Sequence, residues 1–384
     1  MSLKVFVIAG EASGDQLGAS LLQALQERAG GIEVRGIGGS AMLKTGLHES
    51  LFPIEELSVM GIAEILPRIP IFLRLIGKTV QAIRVFNPDV VITIDSPDFC
   101  FRVAEKLAKM GNSAKRIHYV APTVWAWREG RAAKIARFLD GMICLFPFEP
   151  VYFEKEGLKS CFAGHPVMAS GLIEGDGARF RKKHNIPVDQ KILGLFCGSR
   201  RREVTELAPI MIKVAQDFVK EYPRTLCLFP TLPKWKETLE SMCREVGLDA
   251  LVASDESEKW DAFRAPDVAL AVSGTVGLEI ALAGVPHAIL YKMHPLTWAM
   301  VKRLVKIRFA HLGNILMGHM VYPEFIQDNA AAETILPALR VLASSVAERS
   351  VQIQTARNLR LMLDPDPNEN AAERAAAFVM SFLK

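Results

Sequence analysis

Two aspartates three positions apart, Asp95 and Asp98, stand at the end of the apolar run VITIDSPDFC (91–100). A carboxylate there can cap the following helix or take a proton from an attacking hydroxyl. More acids come earlier, in GEASGD (10–15), where Gly10, Gly14 and Gly18 recur every four residues. Glycine lets a backbone turn tightly and lets a ligand approach helix-end amides. The spacing is not the dinucleotide fingerprint, and Glu11 and Asp15 would repel a pyrophosphate. Carboxylates accept hydrogen bonds from hydroxyls, so a sugar is the better guest for Glu11, Ser13 and Asp15. The plain alternative is a tight turn in which Asp15 caps a helix.

Anion chemistry is concentrated further along. In GSRRRE (198–203), Gly198 and Ser199 make a turn, three arginines follow, and Glu203 starts a helix. Arginine at a helix N-terminus is suited to a diphosphate, with one or two of the three able to face it. In SGTVGLE (273–279), Ser273 and Thr275 offer hydroxyls, Gly274 exposes backbone, and Glu279 can accept from ribose hydroxyls. A third stretch, YVAPTVWAWREGR (119–131), carries Trp125 and Trp127 for stacking on sugar or acyl chains, and Arg128 and Arg131 for a phosphate. The tryptophans could equally pack beneath the loop.

Positioning these groups requires strands that end where the motifs begin. Strand candidates are 4–9, 33–37, 89–94, 116–121 and 141–146, alternating with amphipathic helical stretches such as 15–28 and 101–110. A Gly, Pro and Ser-rich segment at 164–177 reads as a linker. The alternation restarts with strands at 191–197, 225–230, 268–272 and 286–291. The pattern predicts an α/β protein with two doubly wound domains, 1–168 and 169–345, followed by helices over 346–384. Ligands of such sheets bind beyond the carboxyl ends of the strands.

Composition narrows the choice. At 384 residues the chain exceeds one ordinary core. A net charge of +4 argues against bulk nucleic-acid binding. Six cysteines without a CxxC pair read as thiols in a reducing cytosol, and eight histidines without ligand spacing predict no metal site. MSLKVFVIAG is too short for a signal-peptide core and fits a first strand. No stretch approaches the roughly 20 apolar residues of a spanning helix. Two stretches, 59–78 and 296–309, mix apolar residues with Arg68, Arg74, Lys78, Lys302, Arg303, Lys306 and Arg308. They suit an anionic membrane surface, or are core helices with solvated cations.

The constellation resembles the lipid-A-disaccharide synthase family over nearly the whole chain: GEASGD, GIGG (36–39), DSPDF (95–99), VAPTVWAWREGR (120–131), GSR (198–200), SGT–LE (273–279) and NI followed by PEFIQ (314–315, 323–327). The resemblance implies a GT-B fold, two Rossmann-like domains facing across a cleft, with final helices crossing back to the first. It implies inverting transfer of 2,3-diacylglucosamine from its UDP conjugate to 2,3-diacylglucosamine 1-phosphate (lipid X), without a cofactor. The setting it implies is cytoplasmic, peripheral to the inner face of the bacterial inner membrane, with a homodimer an open option.

By the same resemblance Asp98 is the base, Arg200 a UDP ligand, and Ser273, Gly274, Thr275 and Glu279 the nucleotide-side residues. Asn314, Glu324 and Gln327 complete that set. Cys197 and Gly313 stand where the family usually has proline, and Met317 and His319 also depart from it. Asp95 and Glu11 remain alternative bases. The competing functions are a UDP-GlcNAc 2-epimerase or a transferase of unacylated UDP-sugars, a nicotinamide-dependent dehydrogenase, and a non-catalytic membrane-surface scaffold. The apolar, basic 59–78 stretch disfavours the first pair, and the missing dinucleotide fingerprint disfavours the dehydrogenase.

Overall fold

A computed structural model describes residues 2–57, 69–127, 129–294, 298–299, 307–366 and 368–383. The chain divides into two units, Met1–Pro166 with Leu363–Lys384, and Val167–Met362. The Val346–Leu363 helix thus stays almost wholly with the second unit, whereas the sequence grouped it with the final helices.

The first unit holds a six-stranded parallel sheet: β1 (Leu3–Ala9), β2 (Ile32–Ile37), β3 (Val90–Ile94), β4 (Lys115–Tyr119), β5 (Gly141–Cys144) and β6 (Lys159–Phe162), in the order β2-β1-β3-β4-β5-β6. The second holds β7 (Ile192–Phe196), β8 (Leu226–Pro230), β9 (Ala250–Ala253), β10 (Val268–Val272), β11 (His287–Tyr291) and β12 (Glu324–Ile326), in the order β12-β11-β10-β7-β8-β9. Helices cover both faces of each sheet, so the central strands are mostly apolar. β3, β7 and β10 are buried at every position.

Helix placement follows from the same patterning. The Ala12–Ala29 helix turns Leu21, Leu22 and Leu25 onto the first sheet and ends at Gly30, whose φ of 69° suits glycine. The Ala371–Met380 helix adds Ala375, Ala376 and Val379 to the same core. Its start is closed by a capping box in which Asn370 accepts from the Glu373 amide (3.0 Å) and Glu373 accepts from the Asn370 amide (2.7 Å). Arg374 fastens this helix, donating to the Ala163 carbonyl (2.7 Å) and to Asp364 (3.0 Å). A side chain at Gly164, with its φ of 100°, would strike that guanidinium.

Candidate active site

In each sheet the strand order reverses once, and ligands of such sheets bind outside the carboxyl ends of the strands near that point. In the first sheet the reversal lies between β1 and β3, which lead into Gly10–Asp15 and Asp95–Asp98. In the second it lies between β7 and β10, which lead into Gly198–Glu203 and Ser273–Glu279. Each of the four motifs therefore lies at the reversal of its own sheet.

At the first reversal the two loops touch. A Cβ on Gly10 would fall 2.0 Å from the Ser96 hydroxyl, so only glycine fits there. Asp95 and Ser96 both take left-handed backbone, with φ of 52° and 42°. The Asp95 amide donates to the Tyr119 carbonyl (3.0 Å) and its Oδ1 accepts from the Ser96 amide (2.8 Å). Ser96 is the N-cap of the Pro97–Lys109 helix, which puts Asp98 inside the first turn and removes the reading of Asp98 as cap. The Asp98 side chain is 92% exposed, with the Arg131 guanidinium 3.9 Å away.

Beside it a cavity of about 260 Å³ opens, walled by Asp95, Pro97, Val120, Thr123, Trp127 and Arg131, among others. Val120 has a φ of 79°, a rare conformation for a β-branched residue. Of the six non-glycine residues with positive φ among those described, Asp95 and Val120 line this cavity and Ser96 follows Asp95 directly. Strain of this kind concentrates at functional sites.

The second reversal holds a cavity of about 290 Å³. Gly198, Ser199, Arg200, Glu203, Ser273, Gly274, Thr275 and Glu279 all line it, as the sequence assigned them to one site. Glu203 closes the Arg201–Glu221 helix start. Its Oε2 accepts from the amides of Ser199 (3.1 Å) and Arg200 (3.2 Å), and its Oε1 from the Arg200 guanidinium (3.0 Å). Gly198, at φ 85°, leaves room for that carboxylate. Burial pushes the Glu279 carboxyl above its ordinary range, partly opposed by Lys259.

The chain matches the family described as Lipid-A-disaccharide synthetase over residues 5–378. It is 43% identical to the lipid-A-disaccharide synthase of Rhodospirillum centenum, over 97% of this chain and 93% of that protein. The enzyme of the same name from Paramagnetospirillum magneticum is 40% identical, over 99% and 97%. The chain belongs to the lipid-A-disaccharide synthase family.

Solved structures agree on the fold. A glycosyltransferase from Rickettsia africae aligns with a TM-score of 0.60 at 11% identity, covering 100% of this chain and 99% of that one. The UDP-GlcNAc 2-epimerase of Neisseria meningitidis, bound to UDP-GlcNAc, aligns at 0.62 with 12% identity, covering 99% and 100%. Likeness at such identity fixes the GT-B fold and no more. The epimerase reading loses to the full-length family match.

Several members expected at the site have other occupations. Asp15 is buried, and its two oxygens accept from the amides of Gly39 (2.7 Å), Ala41 (2.9 Å) and Met42 (3.1 Å). It caps the Ser40–Lys44 helix after β2, a partner distant in sequence, instead of facing a sugar. Trp125 is buried and donates from Nε1 to Glu149 (3.1 Å), so it packs beneath the loop. Glu11 and Ser13 stay exposed at the start of the Ala12–Ala29 helix. Arg128 lies outside the described residues, as do 59–68, 296–297 and 300–306 of the two apolar, basic stretches.

Asn314, Glu324 and Gln327 do not line the second cavity. Asn314 is fully buried, donating to Glu324 (2.8 Å) and accepting from the Val321 and Tyr322 amides. Glu324 also accepts from the amides of Ala310 (2.8 Å) and His311 (2.9 Å). Gln327 exchanges two hydrogen bonds with the Met293 backbone. These side chains brace the loop whose Ala310 carbonyl accepts from the Ser273 hydroxyl (2.8 Å), so they support the cavity wall from behind.

Gly313 is needed in place of proline. Its amide donates to His311 Nδ1 (2.9 Å), and a Cβ would lie 2.7 Å from that ring. The sequence reading missed Thr231, Asp255 and Lys259, which come from the loop after β8 and from beyond β9. The Thr231 hydroxyl is buried there without a hydrogen-bond partner. No motif surrounds these residues, so nothing in the sequence marked them.

Proposed function

We propose that the chain transfers 2,3-diacylglucosamine from its UDP conjugate to the 6-hydroxyl of 2,3-diacylglucosamine 1-phosphate with inversion, releasing UDP. The observation that carries this reading is the full-length family match together with the cavity formed by Gly198–Glu203 and Ser273–Glu279.

Asp98 takes the proton from the attacking hydroxyl as its oxygen bonds to the anomeric carbon. Its exposure leaves it accessible to a substrate hydroxyl. Asp95, with one oxygen turned to the Ser96 amide, orients a neighbouring hydroxyl. In the second unit Arg200, helped by the amides around Ser199 and Ser273, neutralises charge growing on the departing diphosphate. Glu279 accepts from the ribose. Arginine and helix-end amides supply this stabilisation from the chain's own groups.

The membrane surface enters through the start of the Ile69–Phe86 helix. Ile69, Ile71 and Leu73 are exposed there beside Arg74, while burial begins at Ile76. Exposed apolar side chains flanked by cations fit a peripheral contact with an anionic bilayer. Among the described residues no helix is long and apolar enough to cross a membrane.

The test is UDP release from the acylated donor, with and without lipid X. Release that depends on lipid X and yields a disaccharide is expected. Equal release with an unacylated donor, or none with the acylated one, would overturn the reading.

A further inference from the structure

The cavity beside Asp98 has no assigned guest. At about 260 Å³ it has room for part of a diacylated sugar and not for the whole of it. Arg131 supplies a cation to the wall, and Asp95 an acid. Asp95 spends Oδ1 on the Ser96 amide (2.8 Å), which leaves its second oxygen to the sugar hydroxyl it orients. We infer that this cavity seats the anomeric phosphate of the acceptor sugar and that Arg131 is the phosphate's ligand. The inference rests on the transfer reaction proposed above and names the acceptor half of its site.

Three observations support it. The Arg131 side chain is 29% exposed, and its guanidinium lies over the Phe101 ring at 5.4 Å. Packing on the ring fixes the guanidinium plane, and partial burial strengthens its hold on an anion. The contact to Asp98 at 3.9 Å is at the limit of an ion pair, and that carboxylate is almost fully solvated. Such a pairing is weak and leaves the guanidinium edge available to a phosphate, which it can grip with two parallel hydrogen bonds.

The geometry also suits one sugar. Arg131 lines the cavity and lies 3.9 Å from Asp98, so one hexose can present its 6-hydroxyl to the carboxylate and its anomeric phosphate to the guanidinium. Trp127, 38% exposed on the same wall, offers an aromatic face to the ring between them. The strained backbone at Asp95 and Val120 shapes the cavity from two strand ends at once.

The experiment compares two acceptors, 2,3-diacylglucosamine with and without its 1-phosphate, at saturating donor, in the full chain. The unaltered protein should prefer the phosphorylated acceptor in kcat/KM by about 10- to 100-fold, the scale of a charge-assisted pair. Arg131→Ala should slow the phosphorylated acceptor far more than the unphosphorylated one and so abolish most of that preference, and Arg131→Lys should keep part of it. Equal slowing of both acceptors by Arg131→Ala would overturn the inference and make Arg131 a positioning residue for Asp98.

A binding arm needs no turnover and no variant. Glucosamine 1-phosphate should bind the unaltered protein more tightly than glucosamine, by ligand-observed NMR in the presence of UDP, and equal binding would sink the inference. If lipid X fails to release UDP but glucosamine 1-phosphate still binds more tightly than glucosamine, the reaction is wrong and the subsite stands.

Discussion

Glu203 holds Arg200 by its side chain and by its backbone at once, one carboxylate oxygen on the guanidinium and the other on the amide. The amides and the arginine expected to meet a diphosphate are thus already occupied by an internal anion of the same helix turn. A diphosphate entering this cavity competes with Glu203 for the same donors. Glu203→Gln removes the competing charge. UDP should bind more tightly by several-fold, while the helix loses part of its capping box and the protein about 0.5–2 kcal/mol of stability. Titration calorimetry and urea unfolding read the two effects separately. Weaker UDP binding would show instead that Glu203 assists the ligand.

Asp98 and Arg200 should fail in different ways, because they belong to different units. Asp98→Ala is expected to lower turnover by about two orders of magnitude or more, with UDP affinity unchanged. Arg200→Ala is expected to weaken UDP binding by about 10- to 100-fold, the scale of a hydrogen bond to a charged group. Steady-state turnover paired with UDP titration checks both. Near-normal turnover in Asp98→Ala would move the base role to Asp95 or Glu11.

The strands that the sequence failed to show are β6, β9 and β12, and each lies at a sheet edge. Edge strands are covered on fewer sides and need no continuous apolar run. KSCF in β6 is partly exposed at every position. Interior strands such as VALAV, buried on both faces, were legible for the opposite reason. At the site, short motifs tied to strand ends were readable because a turn, a helix start and a ligand make demands within a few residues. Asp15, Trp125 and Asn314 misled because their partners lie 24, 24 and 7 or more positions away, at Gly39, Glu149 and Val321. A polar residue in a loop looks the same in sequence whether it meets a substrate or a distant backbone amide.

Asp15 can be tested as a structural residue. Asp15→Ala leaves the amides of Gly39, Ala41 and Met42 without their common acceptor in a mostly buried place. The expected loss is about 2 kcal/mol or more, at the upper end for a helix cap, because more than one donor is orphaned. Urea unfolding measures it. A sugar-binding role would instead raise the acceptor KM and leave stability intact.

Acid should weaken the fold through buried imidazoles. His287 and His311 form a closed pair, Nε2 to Nε2 at 3.1 Å. His287 Nδ1 donates to the Val285 carbonyl (2.8 Å), and His311 Nδ1 accepts from the Gly313 amide (2.9 Å). One proton therefore serves the central bond, and a second would set two N–H groups against each other. Burial pushes His287 down to about 4 and His311 well below its ordinary value. Burial likewise lowers His118 to about 3 and His165 to about 4. All four bind protons less readily folded than unfolded, so their contribution is present above pH 6.5 and is lost as pH falls toward 4. Glu149 works the other way, since burial raises it to about 7 and its cost grows as pH climbs from 4.5. Glu279, also raised by burial, acts in the same sense, and four histidines against two glutamates keep the net slope positive. The urea midpoint should fall steadily from pH 6.5 to 4.5. His287→Gln should flatten part of that slope, and an unchanged midpoint across this window would refute the neutral-pair account.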